Sequence, residues 1–387
     1  MSLINKYPRL CDLRKPASRR IPKFVFSYLD SGTGNDLTKR ENRLFLDKVK
    51  LVPRYMRGRV IPDLETKIGK LRFKAPFGVA PVGLSSLIWP GAESILGRAA
   101  RRHGFPYVLS TVASESIEML AESAGEMAWF QLYPPRDRDL MQDLLSRAKS
   151  CGVKNLVVTA DVPAPSRREK MRIAGAPLGS RGNSNFSPKI LWQSMLSPEW
   201  AIRTLINGGL RFRNMESYAK NDGKMGITTF IGNQLSGSLD WKYLEEIRNC
   251  WNDNLYLKGV LHCDDVKRAK NVGVEGIVLS NHGGRQLDAT PPPLSQLSYI
   301  RAEVGLDFPI IVDSGFMSGL DIVKALSLGA DFVFIGRGFL YAVAALGNRG
   351  GEHAAKILFE ELRDVMAQMG LQNTQEIKRL KAKTPTF

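Results

Sequence analysis

The segment GIVLSNHGGRQLD (276–288) runs from a short apolar stretch into an imidazole, two glycines and a guanidinium. His282 and Arg285 lie three residues apart, and Asp161 ends another apolar stretch, NLVVTAD (155–161). An imidazole backed by a carboxylate keeps its orientation and can take up a proton. Arginine suits bidentate binding of a carboxylate or phosphate. Together these side chains predict deprotonation of a substrate that carries an acid group.

A lysine within a predicted strand is the next unusual feature. Lys258 interrupts the apolar stretch LYLKGV (255–260), where an unpaired charge would be costly. Either Lys258 lines a polar cavity, or its pKa is lowered for chemistry. No metal-ligand cluster, GxSxG, HExxH or P-loop motif occurs, and no GxGxxG follows a strand. We therefore expect no metal, and a redox reaction would need an organic cofactor other than a Rossmann-bound nicotinamide.

Eight short apolar stretches end in polar or glycine residues and alternate with helical patterns. They are PFGVAPVG (76–83), FPYVLST (105–111), MAWFQLY (127–133), NLVVTAD (155–161), LYLKGV (255–260), GIVLSN (276–281), PIIVDSG (309–315) and FVFIGR (332–337). Eight βα units predict an α/β fold of the (β/α)8 TIM-barrel type, whose catalytic residues lie at the C-terminal ends of the strands. A doubly wound sheet is the alternative, although it rarely needs eight units. The glycine-rich ends of strands seven and eight predict a phosphate site.

The spacing of the strands predicts one domain over residues 1–387 with a long insertion, roughly 162–240, after the fourth strand. The insertion contains KILWQSMLSPEWAIRTLINGGLRFR (189–213), in which tryptophans and aliphatic residues alternate with basic ones. This pattern is typical of an interfacial membrane segment or an active-site lid. A helical excursion packed on its own barrel is the alternative. No run of eighteen apolar residues occurs, so we expect no transmembrane helix.

The net charge of +17 is unevenly distributed. Residues 1–75 carry 19 Lys/Arg against 7 Asp/Glu, and residues 165–225 carry 11 against 4. Such a field favours nucleic acid, an anionic membrane surface or acidic substrates. The N-terminus lacks the apolar core of a secretory signal, which leaves an organelle-targeting peptide as an alternative. The four separated cysteines are interpreted as reduced, buried thiols of a cytosolic protein.

The segment SNHGGRQLD resembles the signature of the FMN-dependent L-2-hydroxy acid dehydrogenase and oxidase family, which includes glycolate oxidase, lactate dehydrogenase and mandelate dehydrogenase. Further blocks follow the family's order over about 20–370: FSYLDSG, APVGLSSLIWP, FQLY, TADVP, RRE, LKG, DSGF and IGR. The basic N-terminus matches the family's first helix, which indicates an N-terminal helical extension rather than a targeting peptide. The resemblance implies FMN as the cofactor and a homotetramer.

The resemblance also implies a role for each matching residue. His282 would be the catalytic base, Asp161 would stabilise its charged form, Tyr133 would hydrogen-bond the substrate's 2-hydroxyl, and Lys258 would lie near flavin N1 and O2. Arg285, Arg168 and Tyr28 would bind the substrate carboxylate. The flavin ring and ribityl chain would contact Pro81, Val82, Gly83, Ser110, Gln131, Thr159 and Ser280, and the ribityl and phosphate end would contact Asp313, Gly315, Gly336 and Arg337. The C2 hydrogen would go to flavin N5, as a hydride or after carbanion formation.

One position departs from the family pattern. A basic residue usually follows DSGF and reaches the FMN phosphate, whereas this chain has Met317. One charge-assisted hydrogen bond, worth about 1.5–3 kcal/mol, would then be missing. Backbone amides and Arg337 would still hold the phosphate, so we keep FMN as the predicted cofactor and expect a weaker grip.

Several features bear on which member of the family this chain resembles. Gly83 and Val112 widen the predicted site, and LSPEW with DSGF looks most like bacterial mandelate and lactate dehydrogenases of the inner membrane. We therefore predict a cytoplasmic dehydrogenase, peripheral on the inner membrane's cytoplasmic face, that passes electrons to a quinone or other acceptor. An oxidase that forms hydrogen peroxide is the enzymatic alternative. Remote alternatives are a flavin-free phosphate-sugar barrel enzyme and a non-catalytic basic barrel that binds membranes or nucleic acid. We do not expect nucleic acid as a partner.

Overall fold

Helices precede the first strand of the chain. The computed structural model describes residues 2–175, 188–222, 226–235, 237 and 239–380. The N-terminal extension contains α1 (Leu3–Lys6), a 3₁₀ helix (Leu10–Leu13), α2 (Arg14–Arg20), α3 (Lys23–Asp30) and α4 (Leu37–Lys48). Helix α3 buries Phe24, Val25, Tyr28 and Leu29, because apolar residues at this spacing share one helix face. The predicted helical extension is therefore present.

A two-stranded antiparallel hairpin, which the sequence patterns did not reveal, follows the extension. It consists of β1 (Thr66–Ile68) and β2 (Leu71–Phe73). Gly69 between them has φ of 53°, a left-handed conformation that suits a tight hairpin turn. The Phe73 ring lies 5.3 Å from that of Phe332, the first residue of the last strand. The hairpin thus packs into the barrel at the N-terminal ends of its strands.

Eight parallel strands form a closed barrel in the order β10-β3-β4-β5-β6-β7-β8-β9. They are β3 (Phe77–Val79), β4 (Tyr107–Ser110), β5 (Ala128–Leu132), β6 (Asn155–Thr159), β7 (Asn254–Val260), β8 (Gly276–Leu279), β9 (Ile310–Val312) and β10 (Phe332–Ile335). Every residue of β5 and β6 is buried, as expected for strands covered by helices on one side and by barrel interior on the other. The predicted TIM-barrel fold is confirmed.

Helices connect the strands and surround the barrel. They are α5 (Ser85–Ile88), α6 (Ala92–His103), α7 (Ile117–Ala124), α8 (Arg138–Ser150), α9 (Glu169–Ala174), α10 (Pro188–Met195), α11 (Pro198–Ile206), α12 (Glu216–Asp222), α13 (Ile227–Gln234), α14 (Trp241–Cys250), α15 (Cys263–Val272), α16 (Pro293–Val304), α17 (Gly319–Ser327), α18 (Arg337–Leu346), α19 (Gly350–Gln368) and α20 (Thr374–Lys378), with short 3₁₀ helices at Gly125–Met127 and Gly347–Arg349. Their ends follow local chemistry. Asp137 caps the N-terminus of α8 by accepting backbone N–H bonds, and Gly104 and Gly273, which have positive φ, cap the C-termini of α6 and α15.

The predicted insertion corresponds to helices α9 to α13, between β6 and α14. Its residues 176–187, 223–225, 236 and 238 lie outside the described residues. Trp200 anchors α11, because its indole donates to the carbonyl of Leu87 at 2.9 Å and its ring meets that of Phe24 edge-on. Among the helices described, none is long and apolar enough to cross a membrane.

The expectation that the cysteines are buried is wrong. Cys11 is exposed, and Cys151, Cys250 and Cys263 are partly exposed free thiols. The last three lie at helix ends on the barrel surface, where the side chain receives less cover than in a strand.

Candidate active site

A cavity of about 490 Å³ opens where the barrel strands end, and we call it the strand-end cavity. Thirteen of the predicted site residues line it: Tyr28, Pro81, Val82, Gly83, Tyr133, Arg168, Lys258, His282, Arg285, Asp313, Gly315, Gly336 and Arg337. Seven lysines and arginines line the cavity, against two aspartates. Such an excess of positive charge suits ligands that carry carboxylate and phosphate groups.

The other predicted residues lie outside the lining and contact it or one another. Asp161 bonds to His282, and Ser280 accepts from the Lys258 ammonium at 2.9 Å. The Ser110 hydroxyl donates to the Gln131 side chain at 2.9 Å, and Thr159 pairs with Lys258 across the sheet.

His282 and Asp161 form a pair at the mouth of the barrel. The imidazole Nδ1 lies 2.8 Å from Asp161 Oδ1, and since a carboxylate only accepts, Nδ1 carries the hydrogen. His282 has φ of 56°, a costly left-handed conformation for a residue with a side chain. Its backbone N–H donates to Ser280 Oγ at 3.0 Å. This geometry leaves Nε2 with its lone pair free to accept a proton.

Opposing effects set the charge states of the pair. Burial lowers the pKa of His282, although the Asp161 carboxylate partly offsets this. Burial alone would raise the pKa of Asp161, but the positive charges of His282 and Lys258 hold it below its usual value. Among the described residues, Asp161 Oδ2 has no hydrogen-bond partner. The resting pair is thus a neutral imidazole beside a carboxylate whose charge is available to stabilise an imidazolium.

Two arginines and a tyrosine surround the free face of His282. The Tyr133 hydroxyl lies 3.4 Å from His282 Nε2. Arg285 donates to the Tyr28 carbonyl at 2.6 Å and stacks over the Tyr28 ring, and no carboxylate within the described part of the chain pairs with it. Burial and the neighbouring Arg168 lower the pKa of Arg285 to about 9. An anionic ligand would relieve this unfavourable burial of charge.

The structure decides between the two interpretations of Lys258. Its Nζ lies 3.3 Å from Asp313 Oδ2 and donates to Ser280. Burial opposes the charged form, but Asp313 and Asp161 outweigh it and raise the pKa of Lys258. The alternative of a lowered pKa is therefore wrong, because the compensating carboxylates come from other strands. A charged lysine at the cavity wall can stabilise negative charge on a bound group.

The barrel interior beside the cavity fits a flavin ring. Among the described residues, the Gln131 amide Nε2 is buried without an acceptor, and a flavin carbonyl or ring nitrogen can supply one. Gly83 packs closely against Val112, because a Cβ there would lie 2.6 Å from Val112 Cγ2. The Tyr28 hydroxyl, predicted to bind substrate, donates to the Gly83 carbonyl at 2.6 Å.

The opposite end of the cavity fits a phosphate. Gly336 lies at the start of α18, whose N-terminal amides face this end and favour an anion. Gly315 has φ of 96°, a conformation that requires glycine. Arg337 donates to the carbonyls of Leu29 at 3.2 Å and Ser31 at 3.1 Å. Met317 lines this end without contributing a charge, as its side chain predicts.

Sequence patterns missed a group of lining residues from the N-terminal helices and α18: Arg14, Asp30, Lys39, Asn42, Arg43 and Tyr341. Their only signal was the cluster of basic residues near the N-terminus. That cluster had suggested a charged surface rather than one wall of the site.

Comparisons with known proteins agree with this geometry. A model of the FMN-dependent dehydrogenase family matches residues 17–384. An L-lactate dehydrogenase from Pseudomonas entomophila is 37% identical over 370 residues, which are 95% of this chain and 96% of that protein. A crystal structure of (S)-mandelate dehydrogenase, a monotopic membrane protein, superimposes with a TM-score of 0.90 at 31% identity, over 97% of this chain and 99% of that one. A mandelate oxidase structure gives a TM-score of 0.80 at 32% identity, over 98% of this chain and all of the other.

Proposed function

This chain belongs to the FMN-dependent dehydrogenase family, and we propose that it oxidises an L-2-hydroxy acid, lactate-like or mandelate-like, to the 2-oxo acid. The predicted cofactor and oxidoreductase class are confirmed by that membership. One observation carries the choice of substrate class: His282 Nε2, which lies 3.4 Å from the Tyr133 hydroxyl, shares a cavity with Arg285, a partly buried cation with no carboxylate partner among the described residues. A substrate with a hydroxyl next to a carboxylate satisfies both groups.

The residues divide the work of the reaction. Arg285 and Arg168 bind the substrate carboxylate and direct the 2-hydroxyl toward His282 and Tyr133. His282 Nε2 accepts the hydroxyl proton, and Asp161 stabilises the resulting imidazolium. When bound, FMN would supply the acceptor for the C2 hydrogen and the two electrons that oxidation to the 2-oxo acid releases.

Further residues hold the cofactor. Gln131 and Ser110, with the backbone at Pro81 to Gly83, contact the flavin ring, and Lys258 supplies positive charge beside it. Thr159 and Ser280 support this wall, whereas Asp313, Gly315, Gly336 and Arg337 hold the ribityl and phosphate end. These assignments rest on the lining of one cavity and on the orphaned Gln131 amide.

An exposed apolar surface supports the acceptor that we propose, a quinone in a membrane. The insertion patch consists of the exposed apolar side chains of α10, α11 and the turns after them: Leu191, Trp192, Met195, Leu196, Ile202, Leu205, Ile206 and Leu210. Leu205 and Ile206 are each 78% exposed, while Ile190 and Trp200 on the inner faces are buried. Lys189 adds positive charge, whereas Arg203 is paired with Glu199 at 3.3 Å. A surface of this size and composition fits the interfacial region of an anionic bilayer.

The proposal places the enzyme in the cytoplasm, peripherally bound to the inner membrane through the segment 162–240. The inner faces of α10 and α11 pack against α3 and α5, so the packed-excursion alternative describes only one side of these helices. A single catalytic domain over 1–387 and a homotetramer remain predictions of the family resemblance.

An anaerobic visible spectrum of the purified holoenzyme tests the proposal. We expect L-lactate or (S)-mandelate to bleach the flavin band, and the faster bleach identifies the better substrate. D-lactate and (R)-mandelate serve as matched controls, because the same acid groups would then present the C2 hydrogen on the wrong side. A flavin that neither L-acid bleaches would contradict the proposal.

Readmission of air then separates the two enzyme types. Slow recolouring, together with rapid recolouring by a quinone in vesicles, supports the dehydrogenase. Rapid recolouring in air with formation of hydrogen peroxide would instead establish the oxidase.

A further inference from the structure

Besides Arg14, which is paired with Asp30, the lining of the strand-end cavity contains two cationic side chains with no predicted role, Arg43 and Lys39, together with Arg337 and Met317. One of them, Arg43, is already neutralised. Its guanidinium binds both oxygens of Asp321, at 2.7 and 2.8 Å, and also contacts Asp47. The backbone N–H of Met317 donates to the same Asp321 carboxylate at 2.9 Å. Arg43 therefore supports the loop at Met317 but has little charge left for a ligand.

Lys39 is the other cation, and it lies beside Arg337. Its Nζ donates to the carbonyl of Asp30 at 2.5 Å. Arg337 donates to the carbonyls on either side, those of Leu29 and Ser31. Three consecutive carbonyls at the C-terminal end of α3 thus hold both cationic groups next to one another.

Two glycines permit this close approach. A Cβ at Gly284 would lie 2.7 Å from the backbone nitrogen of Lys39, and a Cβ at Gly283 would lie 2.8 Å from the Arg337 guanidinium. The turn after His282 therefore packs against the backbone of Lys39 and the guanidinium of Arg337. The same turn links the phosphate end to the catalytic base.

The charges at this end do not balance. Asp30 is the acid that Lys39 contacts, at 3.2 Å, and its carboxylate also binds Arg14 at 2.7 and 2.9 Å and Tyr341 at 2.6 Å. Arg14 and Lys39 thus share one carboxylate, and Arg337 contacts only backbone carbonyls and no carboxylate among the described residues. A lysine ammonium has three N–H donors, and Lys39 uses two of them on Asp30. The third donor and the excess positive charge suit a phosphate, which is close to dianionic at neutral pH.

We propose that Lys39 binds the phosphate group of FMN and replaces the basic side chain that the family places where this chain has Met317. This inference rests on the FMN dependence of the family and is independent of the proposed substrate. Phosphate binding would then not be weakened as the sequence predicts, because a cation on helix α4 takes the place of the one missing at Met317.

Flavin binding to the full-length chain tests the proposal without reference to activity. The flavin-free protein is titrated with FMN and with riboflavin, which lacks the phosphate, and the loss of flavin fluorescence gives each Kd. In the Lys39→Met variant we expect FMN affinity to fall roughly 10- to 150-fold, the usual range for a hydrogen bond to a charged group. Riboflavin affinity should stay unchanged.

Arg40→Met is the matched control. Arg40 is the next residue of α4, is exposed, and donates to the Asn35 carbonyl at 2.7 Å outside the cavity lining. The Arg40→Met substitution removes one positive charge from the same helix. If it lowered FMN affinity as much as Lys39→Met does, the loss would be a long-range electrostatic effect and the proposal would be overturned.

A second substitution distinguishes phosphate binding from a structural role at Asp30. Adding Met317→Arg to Lys39→Met should restore FMN affinity, because it returns a cation to the family's position. Equal loss of FMN and riboflavin affinity in Lys39→Met, or no loss of either, would overturn the proposal. If Lys39→Met does not fold, Lys39→Gln takes its place, because glutamine keeps a donor for Asp30 without the charge. A loss of FMN affinity with unchanged riboflavin affinity would then support the proposal, and an equal loss of both, or no loss, would overturn it.

Discussion

The strand-end cavity and the insertion patch depart from ordinary burial in opposite directions. The cavity buries charged groups such as Lys258, which is 4% exposed, whereas the patch exposes hydrocarbon, with Leu205 at 78%. Soluble proteins usually do the reverse in both places. The proposed function assigns each departure a partner that is not protein: an anionic ligand for the cavity and a lipid surface for the patch.

The two regions differ in how far contacts within the protein offset the free-energy cost of burying a charge or of exposing an apolar side chain. Lys258 has its own counter-ion in Asp313, so its charge is stable before any ligand arrives. Arg285 has none among the described residues, and burial depresses its pKa to about 9. In the patch, Leu205 is 78% exposed among the residues that the structure describes. Arg285 and the patch are therefore the places where binding of the partner should release the most free energy.

The catalytic base gives the largest expected effect. His282→Ala should slow anaerobic flavin reduction by on the order of 10²- to 10⁴-fold, the usual contribution of a positioned base. Stopped-flow bleaching of the flavin by the best substrate measures it. His262→Ala, which removes an exposed histidine, is the control and should leave the rate unchanged. A His282→Ala enzyme that keeps its flavin and reduces it at the normal rate would remove His282 as the base.

Arg285→Met should give the next largest effect. Loss of a charge-assisted contact to the carboxylate should weaken substrate binding on the order of 10- to 150-fold, with the spectrum of bound FMN unchanged. Substrate-dependent bleaching at several concentrations gives the affinity.

The neutral amide of the substrate provides the control for Arg285. It lacks the carboxylate, so wild type and Arg285→Met should bind it about equally. If Arg285→Met weakened amide and acid to the same extent, the arginine would act by holding Tyr28 and α3 in place rather than by binding the acid group.

These two residues also show what sequence could predict. His282 and Arg285 follow a strong apolar stretch, and in a barrel the end of a strand locates its side chains in space. Lys39 and Asp30 carry no such signal, because they reach the cavity only through the path that the N-terminal helices take over the barrel. The direction of the Lys258 pKa was likewise open until β9 brought Asp313 beside it. The hairpin at Gly69 was missed because its strands are three residues long, too short to show alternation.

The insertion patch should respond more weakly to a single change. Leu205→Gln should lower binding to anionic vesicles roughly tenfold, since burial of one leucine contributes about 1.5–3 kcal/mol when complete. Co-sedimentation with vesicles measures the bound fraction. Leu306→Gln is the control, because Leu306 is 84% exposed in the turn before β9, away from the patch. Neither change should alter Tm, and equal vesicle binding by the two variants would exclude the patch as the membrane contact.

The smallest effect concerns pH. It tests whether burial in the cavity sets the protonation state of His282. Burial lowers the pKa of His282 below its ordinary 6.5 despite the opposing effect of Asp161. The base acts when deprotonated, so kcat/KM, which reports the free enzyme, should fall only below that pH and change less than about twofold between pH 6.5 and 8. Asp161→Asn removes the carboxylate that raises the pKa of His282, so the acid limb should move to still lower pH while the plateau drops. A limb that lies above 6.5 in the wild type, or that moves upward in Asp161→Asn, would mean that burial does not govern the base.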